Sequence, residues 1–140
     1  MTDRVFVDSN IWVYLFTSDD DTKNKTVKQY ITENMKTNLL VISYQVVNEV
    51  CCVLKKKKYT EPEIRRVADD MIAFCELSGY TTDIIFIASE LRERYSFSYW
   101  DSYIVASALE SQCDVLASED MQGGLRINNM IIENVLKKEN

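Results

Sequence analysis

Arg4-Val5-Phe6-Val7-Asp8-Ser9-Asn10-Ile11-Trp12 is the stretch on which the fold turns. Val5-Phe6-Val7 is an unbroken apolar run of the kind a strand buried on both faces carries, and it stops at an acid. Beyond Asp8 the period changes: Ile11, Trp12, Tyr14 and Leu15 share one helical face, so a helix opens near Ser9. A strand that ends on a carboxylate and turns directly into a helix is the first unit of an α/β architecture.

The same alternation continues along the chain. Residues 23–36 read as a helix, Leu39-Leu40-Val41-Ile42 as a second doubly buried strand, and Ser43 as the cap of the next helix. That helix puts Val46, Val47, Val50, Val53 and Leu54 on one face and ends in Lys55 to Lys58, where cations favour the C-terminal dipole. Thr60-Glu61-Pro62-Glu63 restarts a helix, with a capping residue, an early proline and first-turn acids, and the pattern carries it to about Leu77. Residues 83–95 and 99–111 give two more helices. Val115-Leu116-Ala117 and Met130-Ile131-Ile132 give two more strands. Strands separated by helices need crossover connections, which implies a three-layer α/β/α sandwich with a central parallel sheet and residues 1–140 forming one domain. In such sheets the functional site lies beyond the carboxyl ends of the strands.

Composition narrows the chemistry. The 140 residues are 46% hydrophobic, with 3 Gly and 1 Pro, a composition that excludes disordered, collagen-like and many-turned β classes. The 4 cysteines show no C-x-x-C spacing and there is no histidine, which argues against zinc and removes the triads that rely on imidazole. No apolar run is long enough for a bilayer and the N-terminal residues lack a leader pattern, so the expectation is a cytoplasmic protein with reduced thiols and no membrane contact. Catalysis, if present, must rest on carboxylates, lysine or a metal.

Four acids fall at the same edge of the expected sheet. Asp8 ends the first strand, Asp120 follows a later one, and Glu49 and Asp101 lie near the starts of helices. Asp101 shares its face with Ile104, Val105 and Ala108, and Glu49 borders the Val46, Val50, Val53 stripe. Carboxylates converging in a partly apolar cleft repel one another and have raised pKa values unless a cation neutralises them, and oxygen-only ligands suit Mg²⁺ or Mn²⁺. Each acid also has a purely structural alternative. Asp8 could cap a helix, Asp101 could belong to a capping box with Ser98, Glu49 could pair with a lysine on its own helix, and Asp120 could form a turn before Gly123-Gly124.

With these residues in hand, the chain resembles the PIN-domain nucleases, and among them the VapC-type toxins of toxin–antitoxin pairs. The resemblance rests on Val7-Asp8-Ser9-Asn10, Val47-Asn48-Glu49-Val50, Tyr99-Trp100-Asp101-Ser102 with Ala106 and Ala108, and Leu116 through Gly123, in that order. It implies a metal-dependent endoribonuclease with Asp8, Glu49, Asp101 and Asp120 as catalytic acids and metal ligands, and with Asn10 and Ser118 orienting a ligand or water. It further implies an RNA substrate, a small antitoxin partner and a homodimer. Many family members place a further acid just after the fourth ligand, where this chain has Met121 and Gln122.

The net charge of −6 runs against RNA binding, yet its distribution is uneven: residues 101–121 hold five acids and no base, and residues 55–66 hold six bases and two acids. Tyr95, Phe97, Tyr99, Trp100 and Tyr103 form an aromatic concentration that could stack on bases, pack a dimer or fill the core. A phospho-receiver would need an Asp after a central strand and a later Lys, and a haloacid-type phosphatase would need D-x-D where this chain has Asp8-Ser9-Asn10. The competing reading is a catalytically silent PIN-like scaffold that binds protein or RNA partners.

Overall fold

A computed structural model describes residues 2–137. Residues 1 and 138–140, included in the single-domain expectation, lie outside the described residues. The elements in order are β1 (Arg4–Val7), α1 (Ser9–Phe16), α2 (Asp21–Thr37), β2 (Leu39–Ser43), α3 (Tyr44–Lys56), α4 (Glu61–Phe74), β3 (Glu76–Ser78), α5 (Asp83–Arg94), α6 (Tyr99–Glu110), β4 (Val115–Ser118), β5 (Arg126–Ile127) and β6 (Met130–Asn134). They build one sheet in the order β3-β2-β1-β4-β6-β5, parallel except for the antiparallel β5–β6 hairpin. The α/β/α sandwich with a central parallel sheet read from the sequence is therefore present, with one antiparallel hairpin at the edge of the sheet.

β1 is central because its residues can be buried on both faces: Val5, Phe6 and Val7 are at most 1% exposed. It pairs with β2 through Phe6↔Val41 and with β4 through Phe6↔Leu116. From β1 the chain first adds strands on one side, β2 then β3, and afterwards on the other, β4 then β6. Right-handed crossovers then place α1–α4 and α5–α6 on opposite faces. The contacts agree, since α1 packs on α2 and α3, α3 on α4, and α5 on α6. The reversal of direction opens a crevice between the carboxyl ends of β1 and β4, the position where open α/β sheets bind ligands.

Two expectations need correction. The helix read to Leu77 ends at Phe74; Cys75 is extended (φ −126°, ψ 158°) and residues 76–78 form the edge strand β3, paired Val41↔Glu76 and Ile42↔Leu77. No glycine or proline marks that stop, and the free edge of β2 outweighs local helix propensity. The strand β5 was not anticipated: Asn128-Asn129 turns it back onto β6, with Asn128 at φ 53°, a conformation asparagine tolerates. The sheet is thus mostly rather than wholly parallel. Among the described residues, no helix is long and apolar enough to cross a membrane.

The caps expected for α3 and α4 are realised. Ser43 Oγ accepts from the Val46 amide (3.3 Å), and Thr60 and Glu63 form a reciprocal capping box. Trp12, 2% exposed, donates its indole N–H to the Val7 carbonyl (3.1 Å), fastening α1 to the end of β1 just before Asp8. Trp12→Phe is expected to lower unfolding free energy by about 1–3 kcal/mol, through the unmet carbonyl and lost contact area, in equilibrium urea unfolding with an unchanged slope. An unchanged midpoint would show that this bond does not anchor the helix.

Candidate active site

Asp8 sits at the carboxyl end of β1, 7% exposed, at the mouth of the crevice. Its Oδ1 accepts the Ser9 amide (2.7 Å) and its Oδ2 accepts the Ser118 hydroxyl (2.9 Å) from the end of β4. The cap and the cluster acid are thus the same residue. Burial pushes the Asp8 carboxyl up from its ordinary value, the bonds from Ser9 and Ser118 oppose this, and nearby Asp101 adds to the rise.

Glu49 reaches the same place from the second turn of α3. Burial, followed by the charges of Asp8 and Asp101, raises its pKa to about 7, while Gln45 and Ser9 offset part of the effect. Its Oε1 is buried and, among the described residues, has no hydrogen-bond partner. Asp101 enters from the first turn of α6, half-buried. Its amide is capped by Ser98 Oγ (3.2 Å), but among the described residues its carboxylate returns no bond to Ser98, so only half of the capping box forms. Asp120, exposed on the loop after β4, is held by Asn10, whose Nδ2 donates to its Oδ2 (3.1 Å) and whose own Oδ1 is buried and unpartnered among the described residues.

The structure therefore brings Asp8, Glu49 and Asp101 within mutual electrostatic reach and tethers Asp120 at the rim through Asn10. Ser118, 1% exposed, orients Asp8. Among the described residues none of the four acids makes an ion pair, including the lysine pairing considered for Glu49. Nor do three acidic side chains among the described residues surround one point as a ready cage. The donor set nonetheless fits a hard cation: all ligands are oxygen, like charges crowd one another, and two buried oxygens, Glu49 Oε1 and Asn10 Oδ1, lack a donor among the described residues.

Sequence reasoning missed how Glu119 differs from its neighbour. Glu119 turns away from the crevice, accepting from Tyr14 Oη (2.7 Å) and pairing with Lys23 Nζ (2.6 Å). Lys23 also lies over the Tyr14 ring (4.8 Å), and its hydrogen bonds to Glu119 and the Tyr14 hydroxyl raise its pKa. No local signal could have found this, because Lys23 is 96 positions from Glu119. Of the five clustered aromatics, Tyr103 is buried and Tyr95 packs on Phe97 (5.7 Å between ring centres), while Tyr99 and Trp100 are exposed.

The PIN domain family model matches residues 5–122. No curated protein matches the chain. Among solved structures, the chain is similar to VapBC2 from Rickettsia felis bound to a DNA fragment from its promoter, with TM-score 0.72 and 21% identity over 93% of this chain and 97% of that one. It is similar to VapBC-1 from nontypeable Haemophilus influenzae, with TM-score 0.70 and 17% identity over 96% and 99% of the two chains. It is also similar to Mycobacterium tuberculosis VapC20, a sarcin-ricin loop cleaving toxin, with TM-score 0.66 and 19% identity over 80% and 86%. These likenesses show a shared fold, and the family match, spanning strands β1 to β4 and all four acids, shows that the chain belongs to the PIN-domain family.

Proposed function

We propose that residues 1–140 form one PIN-like domain acting as a metal-dependent endoribonuclease, the toxin of a toxin–antitoxin pair working on RNA in the cytoplasm. The observation that carries the reading is a buried Glu49 oxygen beside Asp8 and Asp101 that has no hydrogen-bond partner, with no ion pair to any of the three acids, among the described residues. Support also comes from the similar solved structures, which include two VapBC proteins and a sarcin-ricin loop cleaving toxin. In this reading Asp8, Glu49, Asp101 and Asp120 hold Mg²⁺ or Mn²⁺. Such an ion, when bound, supplies Lewis-acid stabilisation of phosphate charge and an acidified water.

The chain's own residues account for the rest. Ser118 and the Ser9 amide fix both Asp8 oxygens in direction, so the carboxylate loses little freedom when it acts as a ligand. Asn10 couples Asp120 to the first turn of α1, next to Asp8 and Ser9. Asp101, in the first turn of α6, lies where the helix dipole favours negative charge, and that field also favours an incoming phosphate. With no histidine in the chain, a carboxylate is the available base for the attacking water. A small antitoxin partner and a homodimer belong to the same proposal.

The decisive measurement is incubation of purified protein with total RNA in Mg²⁺ or Mn²⁺, beside a chelator control and identically purified Asp101→Asn. Cleavage that needs both the metal and Asp101 is expected; no cleavage and no metal-induced rise in melting temperature would leave the silent scaffold. Without metal and above neutral pH, Glu49→Gln is expected to melt higher than wild type, because one buried repulsive charge is gone, and to gain less on adding Mg²⁺. A lower metal-free melting temperature would make Glu49 a structural residue. The adjacent acids should separate: Asp120→Asn lowers the cleavage rate, whereas Glu119→Gln keeps it and lowers the melting temperature through the loss of Lys23 and Tyr14. The opposite pattern in parallel kinetic and thermal assays would reverse their roles.

A further inference from the structure

Beside the acidic cluster, on its α3 side, lies a groove of about 450 Å³ lined by the rings of Tyr44, Tyr80 and Trp100 and by Gln45, Asn48 and Glu49. Its size falls within the roughly 300–1,000 Å³ of small-ligand pockets. The three rings are 56%, 60% and 61% exposed, so the core does not account for them. Trp100 is nevertheless held in place. Tyr99 meets it edge-on (5.1 Å, 87°), Tyr103 lies 5.7 Å away, and Gln45 Nε2 donates to the Trp100 carbonyl (3.2 Å), tying α3 to α6. A braced, exposed ring can bind a flat partner with little loss of conformational entropy.

Glu49 belongs both to this groove and to the carboxylate cluster, so whatever fills the groove continues from whatever lies on the cluster. We propose that the groove receives an unpaired nucleobase next to the scissile phosphate, stacked on Trp100 with its edge facing the Gln45 and Asn48 amides. The proposal rests on the ribonuclease reading and adds the subsite that positions the strand. Flat aromatic faces combined with amide donors and acceptors are the chemistry that reads single-stranded RNA. An apolar peptide anchor would be better matched by a lining without two amides and a carboxylate.

The exposed ridge of α3 extends the same path. Tyr44, Asn48, Cys52 and Lys56 recur every four residues and are all exposed. Lys56 has no ion pair among the described residues, whereas Lys55 pairs with Glu61 and Lys57 with Asp19. It stands seven residues beyond Glu49, roughly 10 Å along the helix axis, within reach of a phosphate further along the strand. A cationic contact at that point supplies attraction that the acidic crevice lacks.

The test uses a labelled single-stranded RNA, with anisotropy measured on the Asp101→Asn chain in Mg²⁺ and cleavage kinetics measured on the chain with Asp101 intact. Trp100→Ala is expected to weaken RNA binding about tenfold and to raise KM with kcat largely kept, while Trp100→Phe retains most of the affinity. Lys56→Ala should reduce the salt dependence of binding by about one unit of slope. Trp12 is buried, so the exposed Trp100 supplies a separate readout, and saturating RNA should protect its fluorescence from acrylamide. If the wild type cleaves RNA while Trp100→Ala and Tyr44→Ala bind and cleave as well as it does, the subsite is overturned, the nuclease stands, and the groove is left to a protein partner. If the wild type neither binds nor cleaves RNA with either metal, the ribonuclease reading fails and the subsite with it.

Discussion

The protein buries a carboxylate at the end of its central strand, and among the described residues no lysine or arginine pairs with it. Asp8 can occupy that place only because β1 is flanked on both sides and the order of strand addition reverses between β1 and the parallel β4, which leaves the carboxyl ends of the two strands facing an open crevice. Everything near Asp8 follows from keeping that charge tolerable. Ser9 and Ser118 supply donors, and Trp12 locks the turn that leads into α1. Glu49 and Asp101 then aggravate the problem, since each adds like charge to a group already penalised by burial. A chain selected only for stability would not keep three such groups together, and the fully buried β1, β2 and β4 residues offset what they cost.

Helix ends supply part of the missing positive charge. α1, α3 and α6 are capped by Asp8, Ser43 and Ser98, and all three begin at the carboxyl edge of the sheet. Each N-terminus carries roughly half a positive charge, felt within its first turn. Asp8 and Asp101 lie inside that range on their own helices, whereas Glu49, in the second turn of α3, lies beyond the most favourable part of its own. That placement is consistent with Glu49 having its pKa raised to about 7 and an oxygen left without a donor. The fixed dipoles lower the repulsion without cancelling it, which is the condition under which an exchangeable divalent ion can bind and stabilise the fold.

Much of this was legible in the sequence because it is written in local periods. An apolar run ending in Asp8, a helical stripe bordered by Glu49 and a first-turn Asp101 each report a side chain's place from its neighbours alone. What could not be read depends on distant partners. Residues 76–78 carry no stop signal, and only the open edge of β2 makes them a strand. The Asn128-Asn129 turn was a usable hairpin signal, but β5 is only two residues long and has no periodicity to reinforce it. Glu119 and Asp120 look equivalent in the sequence, and their difference is decided by Lys23 and Asn10 on other helices. Exposure of Trp100 is likewise a tertiary fact, since buried Tyr103 sits one turn away on the same helix.

The way the chain distributes its cations separates two kinds of acid. At the amino edge of the sheet, Arg4 pairs with Glu76 and its amide donates to Asp114. Around α3 and α2, Glu61, Asp19 and Glu119 each have a lysine. With 16 bases available for 22 acids, some acids must go without, but solvation would favour leaving the exposed ones unpaired. Here the reverse holds at the crevice: buried Asp8 and half-buried Glu49 and Asp101 have no ion pair among the described residues, while exposed Asp21 and Glu33 do. An arrangement that places fixed cations where water would serve and withholds them where it cannot is the opposite of what stability alone selects. It is the arrangement a site needs if its positive charge is to arrive with a ligand.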